Sequence, residues 1–368
     1  MKAALFAALT VGISLISAPA PAQAAPAVLA SLPGTVLTSA NASLPPELTP
    51  LATGKRISYV STNPSGVLIT ATGLVLTPKT GKANRTVVWS HGTTGLADKC
   101  TPSTNQEVFW PEARAAIAAL LRKGWTVAAP DYPGLGTPQN HPYLVGLSEA
   151  RSIIDNVKAA RNLDNKLTPQ YAIDGHSQGG QGALFAGQIA PSYDGPLNLV
   201  GVAAIAPASN LDLVAPFIPG TPGQGYYVMG LYGINAIEPT FDPNAYMAAP
   251  ARARTGVLRT GCLYEILDAY ANLTAEQLVP NGQVPQIVLD KLAQYGNPAT
   301  SPPSAPILIV QGTEDEAVPY EITAGPLMDE LSVYRQPVEF VPLEGQNHDG
   351  AVFASTETVA TWIAQHFS

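Results

Sequence analysis

The segment Gly175-His176-Ser177-Gln178-Gly179 constrains this 368-residue chain more than any other. A short β-type run, Tyr171-Ala172-Ile173, leads into it, and a small-residue helical pattern leads out. A G-x-S-x-G motif on its own is common. Set between a strand and a helix, it predicts a bend that presents a serine. The turn is tight enough that its flanking side chains must be nearly absent, and Gly175 and Gly179 supply that. The serine oxygen then projects from the bend. The first N–H groups of the following helix point to the place where negative charge would develop. The spacing therefore predicts Ser177 as a nucleophile.

A serine hydroxyl needs a base to take its proton. Of the five histidines, His348 fits best. It lies in Glu344-Gly345-Gln346-Asn347-His348, which reads as a loop just after the last strand. His176 adjoins the serine and is expected to turn elsewhere; His91 ends a strand in a loop with another task. His141 sits among prolines and reads as support, and His366 lies two residues from the C-terminus. The base in turn needs a carboxylate to fix its tautomer. Glu314, Asp315 and Glu316 follow a predicted strand over residues 307–310, and Asp315 is preferred for its short side chain in a tight turn and its spacing to Val318-Pro319. Two N–H donors must receive an oxyanion. Gln178 is one. The other is expected from His91-Gly92-Thr93-Thr94-Gly95, with Thr93 preferred and Thr94 the alternative. The order Ser177, Asp315, His348 is the one that α/β-hydrolases use.

Around these motifs, apolar strand patterns alternate with helical ones, which predicts a mostly parallel sheet flanked by helices. Two early strands, over residues 55–62 and 67–77, are joined only by a turn, so the sheet should begin antiparallel. Residues 25–54 give little periodic signal and read as a surface arm. A closing helix is expected from about Ala354 to His366. Residues 208–304 break the alternation. They are rich in Gly, Pro and Tyr, show helical patterns near 264–271 and 286–295, and are too long for a structureless loop. They predict an inserted, mainly helical cap, with residues 25–207 and 305–368 forming the core.

The first 24 residues carry one charge, Lys2, an apolar run and Ala22-Gln23-Ala24, which together predict a signal peptide cleaved after Ala24 and a secreted protein. In an oxidising compartment Cys100 and Cys262 are most simply one disulfide. A formal net charge of -8 with scattered charges does not suit nucleic acid. The histidines lack metal-ligand spacing, and no cofactor is called for.

The stretches WSHGTTGLADKC, APDYPGLGT, GHSQGGQGALFAG, GTEDEAVP and GQNHDG, spread over residues 89–350, resemble the secretory lipase family of α/β-hydrolases, the group that includes the A-type Candida lipase. The leader looks like that of a bacterial secreted member, which argues against glycosylation at Asn41 or Asn272. The resemblance implies an α/β-hydrolase fold and hydrolysis of carboxylic esters through an acyl-enzyme. It also implies that Asp131 and Tyr132 shape the site and that a cap lies between the sixth and seventh strands of the fold. The expected bridge between Cys100 and Cys262 would then tie cap to core. The expected partner is a small-molecule or lipid ester, with transient contact to a lipid interface and no obligate protein partner. Two rivals follow from the same residues: a peptidase or acyltransferase on this fold, and a catalytically dead binding protein.

Overall fold

The structure, a computed structural model, describes residues 32–367. The leader expected over residues 1–24, with its cleavage after Ala24, lies outside the described residues, as does the start of the arm. Nine strands form one sheet: β1 (Val36–Ala42), β2 (Ala52–Thr62), β3 (Leu68–Pro78), β4 (Thr86–Ser90), β5 (Thr126–Pro130), β6 (Gln170–His176), β7 (Asn198–Ile205), β8 (Ile307–Gly312) and β9 (Val338–Leu343). Their spatial order is β1-β2-β3-β5-β4-β6-β7-β8-β9. The first three strands and the β3–β5 pair run antiparallel, and every later pair is parallel.

The central strands are apolar on both faces because helices cover both. On one face, Val88, Ile173 and Val202 pack with Ile153, Ile154 and Val157 of α2 (Gly146–Leu163) and Ala183, Leu184 and Ala186 of α3 (Gln178–Tyr193). On the other, Val87, Ala172 and Leu308 pack with Ile117, Leu120 and Leu121 of α1 (Pro111–Arg122) and Val352, Val359 and Ile363 of the C-terminal helix (His348–His366). Neighbours such as Val87 and Val88 fall on opposite faces, as the two-residue period of a strand requires. Among the described residues no helix is long and apolar enough to cross a membrane.

Two elements differ from the sequence reading. Part of the expected arm is a strand: β1 pairs antiparallel with β2. Its sequence, VLTSANA, is an exposed edge with no apolar face to betray it. The C-terminal helix starts at His348, not near Ala354, so the histidine sits on a helix end and not on a loop. The first residues, His-Asp-Gly, are poor helix formers, and the start is held by Asn347, whose Oδ1 accepts from Gly350 N at 2.8 Å.

Between β7 and β8 lie seven α-helical segments and no strand. They bury an apolar cluster of their own, including Val228, Leu231, Ile266, Tyr270, Val288 and Leu292. The longest, Gln224–Ile237, is not legible in the sequence because Gly225, Gly230 and Gly233 look like turn residues. Gly233 is instead a contact residue: a Cβ there would lie 2.1 Å from Tyr143 O. A bond joins Cys100 to Cys262 across a sequence separation of 162, with Cα atoms 5.5 Å apart. It ties this helical stretch to the loop after β4.

Candidate active site

The bend after β6 is built from its glycines. Ser177 takes φ 56° and ψ -117°, a conformation that side chains rarely adopt. It is held there from both sides of the peptide: Ser177 N donates to Ile205 O at 2.9 Å and Ser177 O accepts from Ala208 N at 3.1 Å. A Cβ on Gly175 would lie 2.3 Å from Gly179 O, and one on Gly179 would lie 1.9 Å from Ser90 O. The loop after β4 crosses the same point, since a Cβ on Gly92 would lie 3.6 Å from Ser177 Cβ. Among the described residues Ser177 Oγ makes no hydrogen bond.

Asp315 and His348 come together. His348 Nδ1 lies 2.7 Å from Asp315 Oδ2, and the Asp315 side chain is fully buried. A carboxylate only accepts, so Nδ1 carries the proton and Nε2 is the basic nitrogen. Asp315 Oδ2 also accepts from Gln311 Nε2 at 2.9 Å, and Oδ1 accepts from the N–H groups of Ala317 and Val318, each at 2.9 Å. Glu314 and Glu316 are exposed. His176 was expected to turn away from the site, yet its ring packs on that of His348, with centroids 4.5 Å apart, and its Nε2 lies 3.2 Å from His348 O. Periodicity cannot reveal this, because the contact joins residues 172 apart in sequence.

The loop after β4 is anchored by Tyr132, whose hydroxyl donates to His91 O at 2.8 Å, and whose ring stacks on that of His91. Asp131 accepts from Thr72 Oγ1 at 2.8 Å and from Ser103 N at 2.9 Å, so it braces the loop and not the nucleophile. Thr93 Oγ1 lies 2.9 Å from Tyr143 OH, and Thr94 O accepts from Leu263 N at 2.9 Å. Gln178 is the first residue of α3, so its N–H has no intrahelical acceptor.

A cavity of about 580 Å³ opens over Ser177 and Gln178. Tyr143, Leu211, Val214, Phe217, Tyr226, Tyr227 and Leu292 line it, with residues 316–319 beside the carboxylate turn. Most of its wall is apolar and comes from the helical stretch between β7 and β8. Ligand-type atoms of His176, His348 and Asp349 lie within 4.8 Å of one another, the one such group among the described residues.

Several buried groups near this site hold unusual protonation states. Burial lifts Glu149 to about 8, Asp174 to about 8 and Glu112, which faces Asp349 and His348, to about 7. Burial lowers His91 and His141 to about 4. Between about pH 4 and 6.5 the unfolded chain binds protons on those histidines that the folded chain refuses, which favours folding as pH rises. The carboxyls act in the opposite sense: the folded chain keeps protons that the unfolded chain has released, so stability falls as pH rises toward about 8. Above about pH 6.5 only the carboxyl effect remains. The thermal midpoint is therefore expected to fall between about pH 6.5 and 8.5, and less so in Asp174→Asn. Calorimetry across that range checks this; a midpoint that rises would refute it.

Residues 110–368 match the family model for secretory lipases. The chain is 27% identical over 290 residues to a secreted triacylglycerol lipase of Malassezia globosa, covering 72% of this chain and 61% of that protein. It is 26% identical over 269 residues to one of Malassezia furfur, covering 67% and 54%. The chain thus spans less than two thirds of the length of these relatives. Among solved structures, the closed state of Candida antarctica lipase A superposes with a TM-score of 0.76 at 22% identity, covering 92% of this chain and 83% of that one. The rice cell wall degrading esterase of Xanthomonas oryzae does so with a TM-score of 0.71 at 21% identity, covering 91% and 98%. The architecture is that of an α/β-hydrolase, and the chain belongs to the secretory lipase family.

Proposed function

We propose that the protein is a secreted serine hydrolase that cleaves carboxylic esters through an acyl-enzyme. The observation that carries this is the 2.7 Å pair of His348 and Asp315, in which the His348 imidazole packs on the ring of His176, the residue before a serine that is held at φ 56° and lines an apolar cavity. In the reacting complex His348 Nε2 takes the proton of Ser177 Oγ as it attacks the ester carbonyl. The N–H groups of Gln178 and Thr93 receive the oxyanion. Thr93 is preferred over Thr94 because its side chain is tied to Tyr143, a residue of the cavity wall. His348 then protonates the leaving alcohol, and water repeats the cycle on the acyl-enzyme.

The helices of residues 208–304 act as a cap in this reading. Their apolar side chains take the acyl or aryl part of a small-molecule or lipid ester. The Asp315–His348 pair also argues against a dead scaffold, since a binding protein has no use for a buried carboxylate fixing a tautomer.

A fluorophosphonate probe tests the reading. It should label the folded protein once, on Ser177, and the same preparation should turn over p-nitrophenyl esters from acetate to palmitate. Folded protein that takes no label and hydrolyses no ester in that series would sink it.

A further inference from the structure

Gln178 does more in this fold than supply an N–H. Its side chain is buried, and its amide nitrogen reaches two acceptors: Glu149 Oε1 at 2.8 Å and His141 Nε2 at 3.1 Å. The roles are fixed by the neighbours. His141 Nδ1 lies 2.8 Å from Pro133 O, and a carbonyl only accepts, so Nδ1 carries the hydrogen and Nε2 is left to accept. The two hydrogens of the Gln178 amide are thereby both used. Glu149 Oε1 accepts a second bond, from Leu144 N at 3.2 Å, while Oε2 has no partner among the described residues. All three side chains are almost wholly shielded from solvent. They form a polar network anchored on the first residue of α3.

We propose that His141 and Glu149 are positioning residues: they grip the side chain of Gln178 and so hold its backbone N–H in line with the oxyanion of the acyl-transfer step. This rests on the serine hydrolase reading above. The Ser177 carbonyl of the same peptide accepts from Ala208 N at 3.1 Å and Gln181 N at 3.0 Å, which orients it from the Ser177 side, but the N–H itself has no intrahelical tether and the Gln178 side of the peptide needs a restraint of its own. A donor must sit within a few tenths of an ångström of its place to act on the transition state, and a misplacement of about 1 Å costs about 10²-fold in rate. An anchored Gln178 side chain provides that restraint.

Glu149 works here as an uncharged acid. Its two bonded contacts are both donors to Oε1, which places its hydrogen on Oε2. Burial lifts it to about 8, so it is neutral at pH 7. The titratable groups that face it are Tyr132, Tyr143 and His141. Burial keeps both tyrosines protonated and His141 neutral. Among the described residues no cation acts on Glu149, so its ionised form would oppose a negative oxyanion on the neighbouring N–H.

Three substitutions test the proposal in the full chain: Glu149→Leu, Glu149→Gln and His141→Phe. Leu and Phe remove an acceptor from Gln178. Each should lower kcat about 10²-fold with KM within about threefold, and with Ser177 still open to fluorophosphonate. Gln has the hydrogen-bond pattern of the protonated acid, so Glu149→Gln should stay within about threefold of the parent near pH 7. The parent is expected to lose kcat above about pH 8 as Glu149 ionises, and Glu149→Gln should lack that fall. Equal kcat in all variants would overturn the proposal, as would a Glu149→Gln as slow as Glu149→Leu. Should Glu149→Leu or His141→Phe not fold, the Glu149→Gln profile decides: an alkaline fall unchanged from the parent overturns the proposal. Failure of the hydrolase reading itself would look different, since the parent would then take no label and turn over no ester.

Discussion

Replacing Asp315 by Asn is expected to lower kcat about 10⁴-fold while leaving a folded protein. The reason lies in who can accept. Asp315 Oδ1 is bonded to two backbone N–H groups, of Ala317 and Val318, which can only donate. An Asn side chain must therefore keep its oxygen on that side and turn its NH2 toward Gln311 and His348. Gln311 cannot adapt, because its Oε1 accepts from Thr323 Oγ1 at 2.9 Å and its Nε2 is committed as a donor, also to Val318 O at 3.0 Å. His348 can adapt, but only by presenting an unprotonated Nδ1 to the new NH2. Its hydrogen then sits on Nε2, the nitrogen that should accept the serine proton. The base is lost by tautomer, with little change of shape. KM should change little. Glu314→Gln is the control and should stay within about twofold, since Glu314 is exposed and bonds neither His348 nor Gln311. Steady-state kinetics on a soluble ester decide the matter. An Asp315→Asn enzyme within tenfold of the parent would remove Asp315 from the relay.

The parts of this site that could be read from sequence are those set by local chemistry. The bend at Ser177 announces itself because a strand, a serine and two glycines must coexist within a few residues. Asp315 was separable from Glu314 and Glu316 because a side chain that also caps two N–H groups of its own turn has to be short. What could not be read is set by contacts between distant segments. Glu149 falls on the buried side of α2 and looks in sequence like any helical glutamate; only the fold brings it to Gln178. The bend turns the His176 side chain elsewhere in the sequence reading, and only the fold shows that this brings it against His348. The edge strand β1 was missed because edge strands carry no buried face, and the helix Gln224–Ile237 because glycines that permit close packing look the same as glycines that make turns. The Cys100–Cys262 bond was legible because a secreted chain with two cysteines leaves one simple pairing.

The second large effect is expected from a single added methyl group, in Gly179→Ala. The demand on Gly179 is for space and not for an unusual backbone angle. A Cβ there would lie 1.9 Å from Ser90 O, 2.3 Å from Ser90 C and 2.7 Å from His91 O. None of these is the flexible end of a side chain. Relief requires that the end of β4 move away from the start of α3, and β4 is fixed in register between β5 and β6. Overpacking against side chains costs about 1–3 kcal/mol. Against two paired backbone segments the loss should exceed about 4 kcal/mol, enough to unfold a domain of marginal stability. Any fraction that folds should still be slow, because Ser90 and His91 lead into the loop that carries Thr93. Gly256→Ala is the contrast. A Cβ there meets nothing within 4 Å, and its φ of -54° suits any residue, so the change should cost nothing and could add a few tenths of a kcal/mol by restricting the unfolded chain. Urea midpoints for the two variants, read beside their esterase rates, separate the cases. If Gly179→Ala matched Gly256→Ala in both, the close approach of β4 to the nucleophile bend would not exist in solution, and the assignment of the loop after β4 to the oxyanion would fall with it.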